Sequence, residues 1–205
     1  MRPVSADGWR LIYSTYLGGR ENEFAEHRLA LTPDACVLLS GFAGSADFPT
    51  TEGVFQRTSK GRGDGFLTKL SAEGRRWHFS TLLGGSQNDN LLMPTLDAKG
   101  NIYVVGRSAS PDWPVTANAL QPTFGGGKDD GVLAELSPDG SKLLYCTYLG
   151  GRGEDMIRSI EFGVNGVVYL VGNTSSEDFP VTKGAFQTGS RGKGSIFLVK
   201  VVPGA

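Results

Sequence analysis

Ser14-Thr15-Tyr16-Leu17-Gly18-Gly19 returns as Ser80-Thr81-Leu82-Leu83-Gly84-Gly85 and again as Cys146-Thr147-Tyr148-Leu149-Gly150-Gly151, at intervals of 66 residues. The register extends outward in both directions. Ser5-Ala6-Asp7-Gly8 matches Ser71-Ala72-Glu73-Gly74 and Ser137-Pro138-Asp139-Gly140. Asp47-Phe48-Pro49 matches Asp112-Trp113-Pro114 and Asp178-Phe179-Pro180, and Phe55-Gln56 matches Leu120-Gln121 and Phe186-Gln187. A self-similarity this long marks a repeat architecture and takes precedence over local readings.

Each copy contains four strand-like runs. Type A is short and polar: Glu26–Leu31, Leu91–Asp97, Ile157–Phe162. Type B is densely apolar: Cys36–Gly41, Ile102–Gly106, Val167–Gly172. Type C is Phe66–Leu70, Val132–Leu136, Ile196–Val201, and type D is Leu11–Leu17, Trp77–Leu83, Leu143–Leu149. Turn residues separate most of them, as in Thr32-Pro33-Asp34, Asp97-Ala98-Lys99-Gly100 and Val164-Asn165-Gly166, because Gly, Asn, Asp and Pro supply the turn dihedrals. No run keeps a helical period. The 30 glycines, about twice the usual ~7% share, fit a chain with many turns. Four short strands repeated in tandem predict an all-β fold of radial type, a β-propeller built of three four-stranded blades. The blades are expected at about 24–83, 90–149 and 156–202, in a single domain over 1–205. The N-terminal strand Trp9–Leu17 would supply the outer strand of the last blade.

Tyr13–Gly19, Gly100–Gly106, Asp47–Pro49 and Phe55-Gln56 together resemble the seven-bladed β-propeller repeat family (SBBP repeats) of bacterial surface and secreted proteins. The resemblance spans all three copies. It implies a propeller and a surface or extracellular setting, and it carries no catalytic residue. Fold alone does not set function.

Charge and composition remove several classes. Lys and Arg number 20 against 21 Asp and Glu, so the basic footprint of a nucleic-acid binder is missing. No apolar run approaches the ~20 residues of a membrane span, and residues 1–20 do not have the layout of a signal peptide. Cys36 and Cys146 fall at unmatched positions of different copies and are expected as free, partly buried thiols.

Antiparallel pairing in the order A-B-C-D puts the A–B and C–D turns on one face. The D–A loops (18–25, 84–90, 150–156) and the long B–C loops (42–65, 107–131, 173–195) then share the other. Loops above about 12–15 residues tend to carry function, so the second face is the expected binding rim. Residues that differ between copies there are the candidate ligand contacts: Phe42, Arg107 and Asn173 at one matched position, and Arg57 at another. Lys128 and Arg191 in the Gly-rich segments offer positive charge to an acidic glycan, and Trp113 offers a face for sugar stacking. Against Trp113 stands its recurrence as Phe48 and Phe179, which suits packing of each loop.

Glu23, Asp89 and Asp155 recur four residues after each Gly-Gly. They are weak calcium candidates, because calcium takes about six to eight oxygens. The alternative is that each acid caps its turn through backbone N–H groups. No metal or other cofactor is expected. His78 matches Ile12 and Leu144, and His27 lies on an A strand, so no catalytic triad or metal spacing assembles. The functional expectation is a non-catalytic binding or display module for a glycan or protein ligand. The rival is a glycan lyase or hydrolase using these three acids or neighbouring acids on the long-loop face. Counting strands also leaves a D strand at one end and an open C strand at the other. Three blades fall below the usual range of about four to eight. A head-to-tail homodimer of six blades is therefore expected, with membership in a longer propeller as the alternative.

Overall fold

The computed structural model describes residues 11–25 and 28–202. Twelve strands run in chain order. β1 (Glu23–Ala25), β2 (Ala30–Leu31), β3 (Val37–Ala43), β4 (Asp64–Leu70) and β5 (Trp77–Leu83) form sheet one. β6 (Asp89–Leu96), β7 (Ile102–Ser108), β8 (Asp130–Leu136) and β9 (Leu143–Leu149) form sheet two. β10 (Asp155–Phe162), β11 (Val168–Thr174) and β12 (Ser195–Val201) form sheet three. Every pairing between these strands is antiparallel and the order is A-B-C-D, as in β6-β7-β8-β9. The fold is all-β, and none of the three sheets closes on itself.

Alternating side chains give each sheet two apolar faces, and the sheets bury them against one another. Leu38, Leu67, Phe79 and Leu83 of sheet one pack with Leu91, Ile102, Val104 and Val132 of sheet two. Leu92, Met93, Val105 and Leu133 of sheet two pack with Ile157, Ile160, Leu170 and Phe197 of sheet three. A third cluster sits within sheet one, where Leu17 packs on Ala43, Phe48, Phe66 and Leu82. Full burial of a Leu or Ile contributes roughly 1.5–3 kcal/mol, so these clusters hold the sheets together. The close approach needs small residues at fixed points. A β-carbon on Gly65 would lie 2.5 Å from Leu91 Cγ, and one on Gly131 would lie 2.8 Å from Ile157 Cγ1.

Three sequence expectations are corrected. Residues 11–19 carry no strand, although Leu11–Leu17 matches β5 and β9 in type; Trp9 lies outside the described residues. Among the described residues sheet three accordingly has three strands, and residues 11–19 do not pair with β12. The physical reason is position: Tyr13 packs on Gly74, and Leu17 on the sheet-one cluster, with sheet two standing between them and β12. The first A strand falls as two pieces, β1 and β2, rather than as Glu26–Leu31. Finally, the polar A type is deeply buried in sheet two, where Asp89 to Met93 are all covered, because β6 is wedged between both neighbouring sheets.

Candidate functional site

The D–A and B–C loops share one face and are stitched together by the repeated polar residues. Glu23, Asp89 and Asp155 each accept a hydrogen bond from the backbone N–H of the second glycine, Gly19 (3.3 Å), Gly85 (2.7 Å) and Gly151 (2.7 Å). The acids therefore cap the Gly-Gly turns. Asp89 Oδ2 also accepts from Ser110 Oγ at 2.9 Å, and its Oδ1 accepts from Ser108 Oγ. The next loop residue donates its N–H to the carboxylate of the Asp-aromatic-Pro triplet: Arg20 to Asp47, Ser86 to Asp112 and Arg152 to Asp178, at 2.8–3.0 Å. Those triplets bury their aromatics, with Phe48 stacked on Phe66 (4.9 Å) and Phe179 on Phe197 (4.4 Å).

Trp113 is 2% exposed and donates Nε1–H to Cys146 Sγ at 2.9 Å. It builds the loop and presents no stacking face, which corrects its candidacy as a ligand contact. Both cysteines are free and buried, and burial pushes the Cys146 thiol up to about 12.

The first two Gly-rich segments are also structural. Gly61 and Gly127 leave no room for a β-carbon against the carbonyls of Gln87 and Gly153 in the following D–A loop. Short parallel bridges, Gly63 with Asn88 and Asp129 with Glu154, join the first two B–C loops to the next repeat.

What the stitching leaves open is a cleft of about 420 Å³ where β1, β3, β6 and β7 end on this face. One wall is aromatic. Phe24 and Phe42 stack at 6.0 Å, and Phe24 is 56% exposed. The other wall is polar: Asn88 and Asn90, with Arg107, Lys128 and Asp129. Arg107 Nη1 lies 3.3 Å from Asp129 Oδ2 and 3.5 Å from Glu154 Oε1, and Lys128 Nζ lies 3.0 Å from Glu154 Oε1. Burial raises the Asp129 carboxyl, opposed by Arg107 and Lys128. Among the residues that line the cleft, two cations (Arg107 and Lys128) stand against two acids (Asp89 and Asp129), so the lining is close to neutral in formal sum.

Of the sequence candidates, the structure brings Phe42, Arg107 and Lys128 together at this cleft. Arg57 and Arg191 are exposed elsewhere on the rim. Asn173 is exposed on β11, where it accepts from Arg158 Nε. Phe24 and Asn90 were missed, yet they pair across the ladder with Phe42 and Arg107. Both occupy a matched position that differs between copies, with Met156 as the third. That same comparison, applied to the A strand, would have found them. His78 is exposed on β5, and His27 lies outside the described residues.

Among the described residues no group of three or more His, Cys, Asp and Glu is arranged to hold a metal. The three turn-capping acids are committed to backbone N–H groups, so a chelator is expected to leave the melting temperature unchanged. A fall of several degrees in a thermal melt with EDTA would place an ion at these turns.

Among the described residues no helix is long and apolar enough to cross a membrane. Comparison with known protein families finds no matching family model, and comparison with curated proteins finds no match.

Proposed function

We propose that the three sheets are blades of a β-propeller, and that the chain is a non-catalytic module binding a glycan in the cleft between Phe24/Phe42 and Arg107/Lys128. The observation that carries this is the pairing of an exposed aromatic stack with a near-neutral wall of amides and ion-paired side chains in one 420 Å³ cleft. A pyranose ring has apolar C–H faces and a rim of hydroxyls that donate and accept. The stack suits the first, and Asn, Arg and Asp side chains suit the second. The volume lies within the ~300–1,000 Å³ of small-ligand sites.

A hydrolase would use two carboxylates flanking the bond to be cleaved, and a lyase a base within reach of a substrate proton. Asp89 lines the cleft with both oxygens hydrogen-bonded, and Asp129 is held by Arg107. The resemblance to surface and secreted repeats supports an extracellular setting, where such a module would bind or display polysaccharide.

A glycan array probed with the whole protein tests the reading. Phe24→Ala and Arg107→Ala are each expected to weaken the best hit at least about tenfold, the equivalent of ~1.4 kcal/mol, with unchanged thermal melts. Binding that is indifferent to both substitutions would remove the cleft from the account. Turnover of the bound glycan would remove the non-catalytic part.

A further inference from the structure

We infer that sheet three takes its fourth strand from residues 11–17 of a second copy of this chain. β4 and β8 each carry an outer neighbour, β5 and β9, whereas among the described residues no strand pairs with the outer edge of β12. An open edge is a template for pairing.

The polar partners for an incoming strand are already placed. In sheets one and two a glutamine accepts from the first glycine after the outer strand: Gly84 N to Gln56 Oε1 (3.2 Å) and Gly150 N to Gln121 Oε1 (3.0 Å). The same glutamines donate Nε2–H to Thr58 O and Thr123 O, and Gln187 likewise donates to Gly189 O at 2.7 Å. Gly18 is the matched glycine of the 11–17 segment. Tyr148 donates to Ser110 O at 2.5 Å and accepts from Trp113 N at 2.9 Å. Its counterpart Tyr16 is 100% exposed, and Ser176 and Phe179 stand in sheet three where Ser110 and Trp113 stand in sheet two.

The face beyond sheet three is also open. At the first junction Gly140 packs on Phe79 and accepts from Phe55 N. Phe186, the counterpart of Phe55, is fully exposed, and Gly74 with Tyr13 packed on it repeats the Gly140–Phe79 pair that would stand opposite.

Size complementarity identifies the occupant as a second copy. Gly65 meets Leu91 and Gly131 meets Ile157 at the two internal junctions. In sheet three the matched residue is Ile196, 78% exposed, which denies a Leu or Ile that place. The residue of sheet one matched to Leu91 and Ile157 is Ala25. Small against large has become large against small, as required if sheet one of another copy packs on sheet three. The loops agree: Gly61 and Gly127 are crowded by the next repeat, while Gly192 has nothing within 4 Å. Residues 11–17 stay on their own sheet one while their free edge adds to the partner's β12. Reciprocal exchange between two copies closes a ring of six sheets, a closure that rests on the propeller reading; the strand addition does not.

Light scattering on the whole chain at micromolar concentration is expected to give twice 21.8 kDa, and Tyr16→Asp half of that. The substituted side chain is fully exposed in the single chain, so the three sheets should be kept and circular dichroism should lose no more than the strand signal of residues 11–17. Register is tested by mixing Ser14→Cys with Val199→Cys, the pair matched to Cys146 and Ala134. A disulfide-linked heterodimer should form in the mixture and from neither variant alone. A wild-type mass of one chain, or a Tyr16→Asp protein still of double mass, overturns the inference. Larger assemblies with the cross-link intact overturn six-sheet closure and the propeller reading with it, and leave strand addition standing.

Discussion

Trp113→Ala is expected to destabilise the protein by about 3–5 kcal/mol, the range for truncating a fully buried Trp. Trp113 belongs to a loop, where substitutions usually cost little. Here the loop is part of the core. The indole is 2% exposed within the cluster that joins sheets one and two. Its Nε1–H donates to Cys146 on β9, and its backbone N–H donates to the Tyr148 hydroxyl. Removal leaves a cavity between the loop and β9 and strips the thiol of its donor. Trp113→Phe keeps most of the volume and should cost far less, about 1–2 kcal/mol, chiefly the lost hydrogen bond. Urea unfolding at one pH gives both values. A cost below about 1 kcal/mol for the alanine variant would mean that the B–C loop is peripheral, and that the cleft beside it lacks a rigid frame.

The repeat made the strands legible. The matched apolar runs gave β3 to β12 to within a few residues, because each buries its own alternating face. The outlying segment Leu11–Leu17 has the same residue types as β5 and β9 yet carries no strand. A strand is a property of two edges, and sequence shows one edge at a time. The burial of β6 was hidden for a related reason: Asp89 and Asn90 read as polar, but they are covered by a neighbouring sheet. The cleft was half legible. Phe42 and Arg107 stood out as residues that differ between copies, and Lys128 as a positive charge in a Gly-rich segment. Their convergence depends on where β1, β3 and β7 end, which no spacing along the chain encodes.

Asp130→Asn is expected to stabilise the protein at pH 8 and to do little at pH 4. Asp130 is fully buried at the start of β8. Its Oδ2 accepts from Gly125 N at 2.6 Å and Gln121 Nε2 at 3.1 Å, and its Oδ1 has no hydrogen-bond partner among the described residues. Asp155 closes the same space: a β-carbon on Gly150 would meet Asp130 Oδ1 at 2.7 Å and Asp155 Oδ2 at 2.8 Å. Burial first, and then the neighbouring Asp155 charge, push the Asp130 carboxyl up to about 7. Burial likewise pushes Asp89 up to about 6. The unfolded chain titrates such groups near ~3.9, so between that value and 7 the folded state holds more protons. Stability from these two groups is therefore complete below the unfolded value and is lost as pH rises through 6 and 7. Asp34 and Asp139 act oppositely. Hydrogen bonds from Thr32 and from Ser137 lower them to about 2, and their contribution fades only as pH falls from 4 towards 2. From these groups the stability maximum is thus expected near pH 4, below the common ~5–8. Asparagine at 130 keeps an oxygen for Gly125 and Gln121 and places a neutral amide beside Asp155. Each pKa unit of difference corresponds to ~1.4 kcal/mol. After relaxation of the junction, a gain on the order of 1–3 kcal/mol at pH 8 is expected, with a flatter slope from pH 5 to 8 in paired urea titrations. Equal destabilisation at both pH values would show instead that the Asp130 charge is held by the junction and supports it.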